Sequence, residues 1–202
     1  MRNLIVIVLL SSVVFASCSG EKKQAPAPTE TKKSDVEVLR EQVKNNPQDA
    51  EAWYHLAELY EAANMFQEEI EALNRVIAIK PDMGYVYFRL GTTYNRVERY
   101  EDAVTALLKA TKYIQNQPMI YNNLAISYGK IGKTNEEIGA LKKAIALRPN
   151  YAIARYNLGM AYLKQGKRKE ALNQYQALLK FDEGVAASLK YEIDATAKGK
   201  KS

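Results

Sequence analysis

Pro118-Met119-Ile120-Tyr121-Asn122-Asn123-Leu124-Ala125-Ile126-Ser127-Tyr128 decides the fold. An aromatic, a Leu, a small residue and a Tyr stand at its fourth, seventh, eighth and eleventh places (Tyr121, Leu124, Ala125, Tyr128), the spacing of one helix face. Shifting by 34 residues toward the N-terminus puts Tyr87, Leu90, Gly91 and Tyr94 in those places, and a second shift puts Trp53, Leu56, Ala57 and Tyr60 there. A 34-residue shift the other way gives Arg155, Leu158, Gly159 and Tyr162. Four copies therefore begin at Ala50, Gly84, Pro118 and Ala152, in phase and without an insertion. That period and order specify helical hairpins stacked into a solenoid, since a single hairpin cannot bury its own apolar face.

Within the third copy the spacing predicts a first helix over 120–131. Gly132-Lys133 turns the chain, because Gly supplies the positive φ that ends a helix. The second helix carries Ile138, Leu141, Ala144, Ile145 and Leu147, and Pro149 stops it. The small residue at position 8 is expected to let two helices approach closely, with the position 11 Tyr filling the gap beside it.

On these residues the chain resembles the tetratricopeptide repeat (TPR) family over 50–185. The resemblance implies an all-α fold, a right-handed α-solenoid of four TPR hairpins at 50–83, 84–117, 118–151 and 152–185. Two departures stand out. Position 20, usually small, is Ala103 and Ala171 in two repeats but Glu69 and Glu137 in the others, so packing should differ there. Position 32 is Pro81 and Pro149 but otherwise Gln115 and Glu183. Flanking segments complete the array. Residues 34–49 are expected to form an N-terminal capping helix, opened by the capping box Ser34-Asp35-Val36-Glu37 and resembling an orphan second helix that ends at Pro47. Residues 186–202 supply a C-terminal capping helix, with Leu189 and Ile193 on one face, and a basic tail.

The first 17 residues have another character. Arg2 precedes the apolar run Leu4 to Leu10, and Phe15-Ala16-Ser17-Cys18 follows. The run is too short for a transmembrane span, which needs about 20 apolar residues. It resembles a bacterial lipoprotein signal, although Phe15 stands where Leu is usual. An ordinary cleaved signal peptide and an uncleaved N-terminal anchor are the competing readings. The resemblance implies that Cys18, the chain's single cysteine, becomes the first mature residue and carries the lipid. Two or more acyl chains would give stable anchoring. Ser19, not Asp, follows, which favours the outer membrane and a periplasmic location. Residues 18–33 are expected to be a flexible tether, extended around Pro26 and Pro28.

Twenty-nine basic and 23 acidic residues give a net charge of +6. The cations are dispersed and no nucleic-acid motif occurs, so nucleic acid is not an expected partner. The distribution is polar along the array. Repeat one has two basic and seven acidic residues, a net of −5, whereas repeats two to four carry +2, +3 and +3. Nothing in the sequence assembles catalytic chemistry. His55 is the only histidine, there is no phosphate-binding Gly loop, and Glu68-Glu69 and Glu136-Glu137 are read as helix-start acids that complement the dipole. No enzyme activity, cofactor, metal or small-molecule substrate is expected.

The resemblance instead implies a protein or peptide bound along the concave face of the first helices, through positions 2, 5, 6, 9, 12 and 13. On these positions the candidate groove comprises Tyr54, His55, Glu58, Phe88, Arg89, Asn122, Asn123, Ile126, Tyr156, Asn157 and Met160. Tyr54, Phe88 and Tyr156 share position 5 and are expected to form an exposed aromatic row interrupted by Asn122. Asn123 and Asn157 match a ladder that holds peptide backbone in some family members; His55 and Arg89 depart from it. Tyr54 and Glu58 occupy the places where a carboxylate clamp needs Lys and Asn, which argues against a chaperone-type clamp. The expected function is a membrane-anchored scaffold or adaptor in the cell envelope. Its alternatives are a pilotin-like factor for secretin assembly and an adaptor that regulates cell-wall enzymes.

Overall fold

The computed structural model describes residues 28–198. Ten helices follow one another: α1 (Pro28–Asn45), α2 (Ala50–Ala62), α3 (Phe66–Ile79), α4 (Gly84–Arg96), α5 (Tyr100–Tyr113), α6 (Pro118–Lys130), α7 (Thr134–Leu147), α8 (Ala152–Lys164), α9 (Arg168–Leu178) and α10 (Glu183–Lys198). Each even helix from α2 to α8 is the first helix of a hairpin (A) and its successor the second (B). Consecutive helices pack on one another throughout, and α10 also packs on α8.

The turn inside each hairpin is the same device four times. Position 15 has positive φ in every repeat, at Asn64, Glu98, Gly132 and Gly166. Beyond it, the N–H of Met65, Arg99, Lys133 and Lys167 donates to the carbonyl of Tyr60, Tyr94, Tyr128 and Tyr162, each at 2.9 Å. This bond closes a Schellman motif and satisfies a carbonyl the helix end would otherwise leave open.

Packing follows the 34-residue register. Leu56, Leu90, Leu124 and Leu158 are buried, as are Ala57, Gly91, Ala125 and Gly159 beside them. A Cβ on Gly91 would lie 2.4 Å from Leu107 Cγ of its own hairpin, and one on Gly159 would lie 2.7 Å from Leu189 of α10. Close approach therefore requires the small residue. The position 11 tyrosines are less uniform than expected: Tyr60 and Tyr162 are buried, but Tyr94 and Tyr128 are half-buried. Val86 and Leu90 belong to the N-terminal apolar cluster while Tyr87 belongs to the C-terminal one, so α4 joins the two into one core.

Position 4 explains how Arg155 replaces an aromatic. Trp53 Nε1 donates to the Pro47 carbonyl at 3.1 Å, and Arg155 Nε donates to the Pro149 carbonyl at 2.7 Å. The two side chains make one equivalent bond to the preceding helix end, which also places α1 where a B helix would stand.

The flanks differ from expectation in extent. α1 starts at Pro28, so Ser34 lies inside the helix and 28–33 are helical, not extended. Proline fits a first helical turn because its missing N–H has no intrahelical partner there. At the other end α10 begins at Glu183, within the expected fourth repeat, and Asp182 Oδ1 accepts from Val185 N–H at 3.0 Å as its cap. α9 ends at Leu178, earlier in its repeat than the other B helices, and the chain turns directly into α10. Ala186, Leu189 and Ile193 of α10 are buried, closing the core, while Tyr191 faces outward.

Candidate protein-binding groove

Core formation uses positions 3, 7, 8 and 11 of each A helix, leaving positions 2, 5, 6, 9 and 13 on the opposite side. The exposed apolar row on this face is at position 2. Tyr85, Met119 and Ile153 are 53%, 42% and 56% exposed, and Ile126 at position 9 joins them. None of the three position 2 residues was among the predicted site residues, although the position itself was. The signal was available: Glu51 is polar there, and the next three are large and apolar.

Position 5 is more enclosed than predicted. Tyr54, Phe88 and Tyr156 are half-buried, with Phe88 and Tyr156 packed on the core, and Asn122 is buried. The Tyr54 ring has neighbours of its own, Tyr85 at 6.2 Å and the Arg89 guanidinium at 5.1 Å. Position 5 of the first repeat thus meets position 2 of the second.

Arg89 is also not a free groove cation. It is buried and faces three carboxylates of the preceding hairpin, Glu61 at 2.9 Å, Glu69 at 3.3 Å and Glu58 at 3.7 Å. Glu69 is almost fully buried, and burial pushes its carboxyl above the usual range against the opposing pull of Thr93 and Arg89. Its Oε2 has no hydrogen-bond partner among the described residues. Glu137, the equivalent residue two repeats on, is buried as well and accepts from Lys164 Nζ at 3.2 Å. Both glutamates stand at position 20, where packing was expected to differ, and their partners are the cations of the next hairpin.

The amides are engaged internally. Asn123 Nδ2 donates to the Met119 carbonyl of its own helix at 2.9 Å, and Asn157 Nδ2 donates to Asn122 Oδ1 at 3.2 Å. His55 is exposed, 3.1 Å from Glu58 and 3.8 Å from Glu51. Ile126, Tyr156, Asn157 and Met160 come together around a hollow of ≈ 600 Å³ between the third and fourth repeats, with Glu137 and Lys164 in its wall. Cys18, the predicted lipid attachment site, lies outside the described residues, as do the predicted signal segment and most of the tether.

Among the described residues no helix is long and apolar enough to cross a membrane, and no group of three or more His, Cys, Asp or Glu could hold a metal ion. No curated protein matches the chain. Among solved structures, a MamA crystal structure superimposes with a TM-score of 0.73 at 21% identity, covering 86% of this chain and 99% of its own. MamA from Desulfovibrio magneticus RS-1 gives 0.71 at 17%, covering 76% and 87%. YrrB, a TPR protein with an unusual peptide-binding site, gives 0.68 at 22%, covering 82% and 85%. At these identities the likeness concerns the fold. Family models described as tetratricopeptide repeat match residues 36–84, 84–117 and 152–184, and one described as TPR repeat matches 130–166. With these matches together spanning most of the helical array, the chain belongs to the tetratricopeptide repeat family.

Proposed function

We propose that this protein is a non-catalytic scaffold, held at a bacterial membrane by lipid on Cys18, that binds a protein or peptide partner of the cell envelope along the A-helix face. The observation that carries the binding part is the exposed row Tyr85, Met119 and Ile153, with Ile126 beside it. Large apolar side chains exposed at one repeat position across three repeats put apolar area on one side of the array, and exposed apolar area of this kind marks interaction sites. The membrane part rests on the sequence around Cys18, where a short apolar stretch and small residues precede the only thiol. A lipid anchor and a binding face together would hold the partner near the bilayer.

Two measurements test the halves separately. Co-purification from detergent-solubilised membranes should recover a stoichiometric protein partner; repeated recovery of the chain alone overturns the scaffold reading. Cys18→Ser removes the acylation site, and the protein should then leave the membrane fraction. Mass spectrometry of the mature native protein that finds an unmodified Cys18, or an N-terminus elsewhere, removes the anchor from the proposal.

A further inference from the structure

The first and third repeats place a buried carboxylate at the same point of the array, and the chain covers only one of them with an arginine. Between repeats one and two, Arg89 lies over Glu69 and also meets Glu58 and Glu61. Moving 68 residues along, two repeat lengths, turns Glu58, Glu61, Glu69 and Arg89 into Ile126, Gly129, Glu137 and Asn157. Asn157 is shorter, and its amide is bonded to Asn122. The space that Arg89 fills in the first interface is therefore open in the third, as the ≈ 600 Å³ hollow whose wall includes Ile126, Gly129, Glu137 and Met160. Gly129 contributes to the opening, since a Cβ there would stand 2.7 Å from the Glu137 carboxyl. Glu137 is 8% exposed at its side chain, and its cation, Lys164, is 52% exposed and approaches from the rim.

We propose that this hollow receives an arginine side chain of the partner polypeptide, in the manner that Arg89 occupies the first interface. The guanidinium takes the Glu137 carboxylate, whose two oxygens suit its planar fork. The aliphatic stem runs over Ile126 and Met160. Lys164, released from Glu137, stands with Lys130 at the rim of the same hollow. One carboxylate against two lysines leaves the rim with a net positive charge, so an acidic residue beside the arginine completes the match. The ligand class is thus a segment in which arginine is flanked by carboxylates. This inference rests on the reading that the A-helix face binds polypeptide, and deepens it by naming what the third interface recognises.

The test uses the full-length chain in detergent and two labelled peptides, Ala-Glu-Arg-Glu-Ala and the same peptide with citrulline, an uncharged isostere, at the centre. Fluorescence anisotropy should show the arginine peptide binding at least tenfold more tightly than the citrulline one. Asn157→Arg supplies from within the side chain that Arg89 supplies in the first interface; it should lower affinity for the arginine peptide at least tenfold without lowering the urea midpoint. Glu137→Gln keeps the shape, removes the charge, and should produce a similar loss, which guards against misfolding of the first variant. The proposal is overturned if the arginine peptide fails to bind, if citrulline serves equally, or if both variants bind within twofold of the native chain. A membrane partner captured equally by the native chain and by Asn157→Arg would leave the scaffold reading standing and remove this one.

Discussion

Arg89 shows how one residue can be predicted for the surface and used in the interior. As a position 6 cation it fits a groove, but Glu69 sits beneath it, and a buried carboxylate without a partner is costly. Arg89→Leu should therefore destabilise the fold by about 3–5 kcal/mol near neutral pH, because it strands the Glu69 charge. The pH dependence has a definite sign. Burial raises the Glu69 carboxyl in the folded state, so the stability linked to its protonated form is present below the ordinary carboxylate value of 4.5. That stability is lost as pH rises through the raised folded value. In Arg89→Leu the opposing pull of the guanidinium is gone, so the deficit relative to the native chain should shrink on acidification toward that value. The double variant Arg89→Leu/Glu69→Leu should recover most of the loss, since no charge is then stranded. Urea unfolding at both pH values measures all three, and an Arg89→Leu deficit that stays constant with pH would contradict this account.

At the scale of the element, the Schellman turn repeats four times with one bond length but three residue types at its left-handed position. Glycine occupies it in repeats three and four. Asn64 tolerates it through its short polar side chain, and Glu98 has no such excuse at φ 60. Glu98→Gly should raise stability by about 0.5–1 kcal/mol, the relief of backbone strain outweighing glycine's extra freedom in the unfolded chain. A higher thermal midpoint checks it, and a lower one would mean the Glu98 side chain makes a stabilising contact. The hairpins themselves were legible in the sequence because Leu, small residue and Tyr recur in phase, and the phase alone sets which face is buried. What was not legible depends on contacts between repeats. Glu69 looks like an ordinary helix-start acid until Arg89, 20 residues away, is laid over it, and Glu137 until Lys164 reaches it. The start of α1 was missed for a different reason: the capping box at Ser34 is a sound local signal, but the helix continues past it to Pro28. At the site, position 5 drew attention through its aromatics, whereas packing of one A helix against the next turns those rings inward and leaves position 2 exposed.

For the whole molecule, an apolar row on the A-helix face of repeats two to four lies on an array whose repeats run in net charge from −5 in the first to +3 in the third and fourth. A partner matched to it would be apolar along its middle, with basic groups toward the N-terminal repeat and acidic groups beyond, and salt should weaken its binding through the exposed charges. Tyr156 is a poor probe of this surface, because it packs on the core and its truncation would mix folding with binding. Ile153 is a clean one. It is 56% exposed, so Ile153→Ala should change stability by no more than about 0.5 kcal/mol. If it is an anchor, affinity for the membrane partner should fall by about 1–3 kcal/mol. Leu158→Ala on the opposite side of the same helix is the control: it is 3% exposed, and removing it should cost about 2–5 kcal/mol of stability through loss of packing. Titration of the co-purified partner against each variant, beside urea unfolding of the same preparations, separates the two effects. Should Ile153→Ala, Met119→Ala and Tyr85→Ala all leave affinity unchanged in folded protein, the partner binds elsewhere on the solenoid and the A-helix face must be given up as its site.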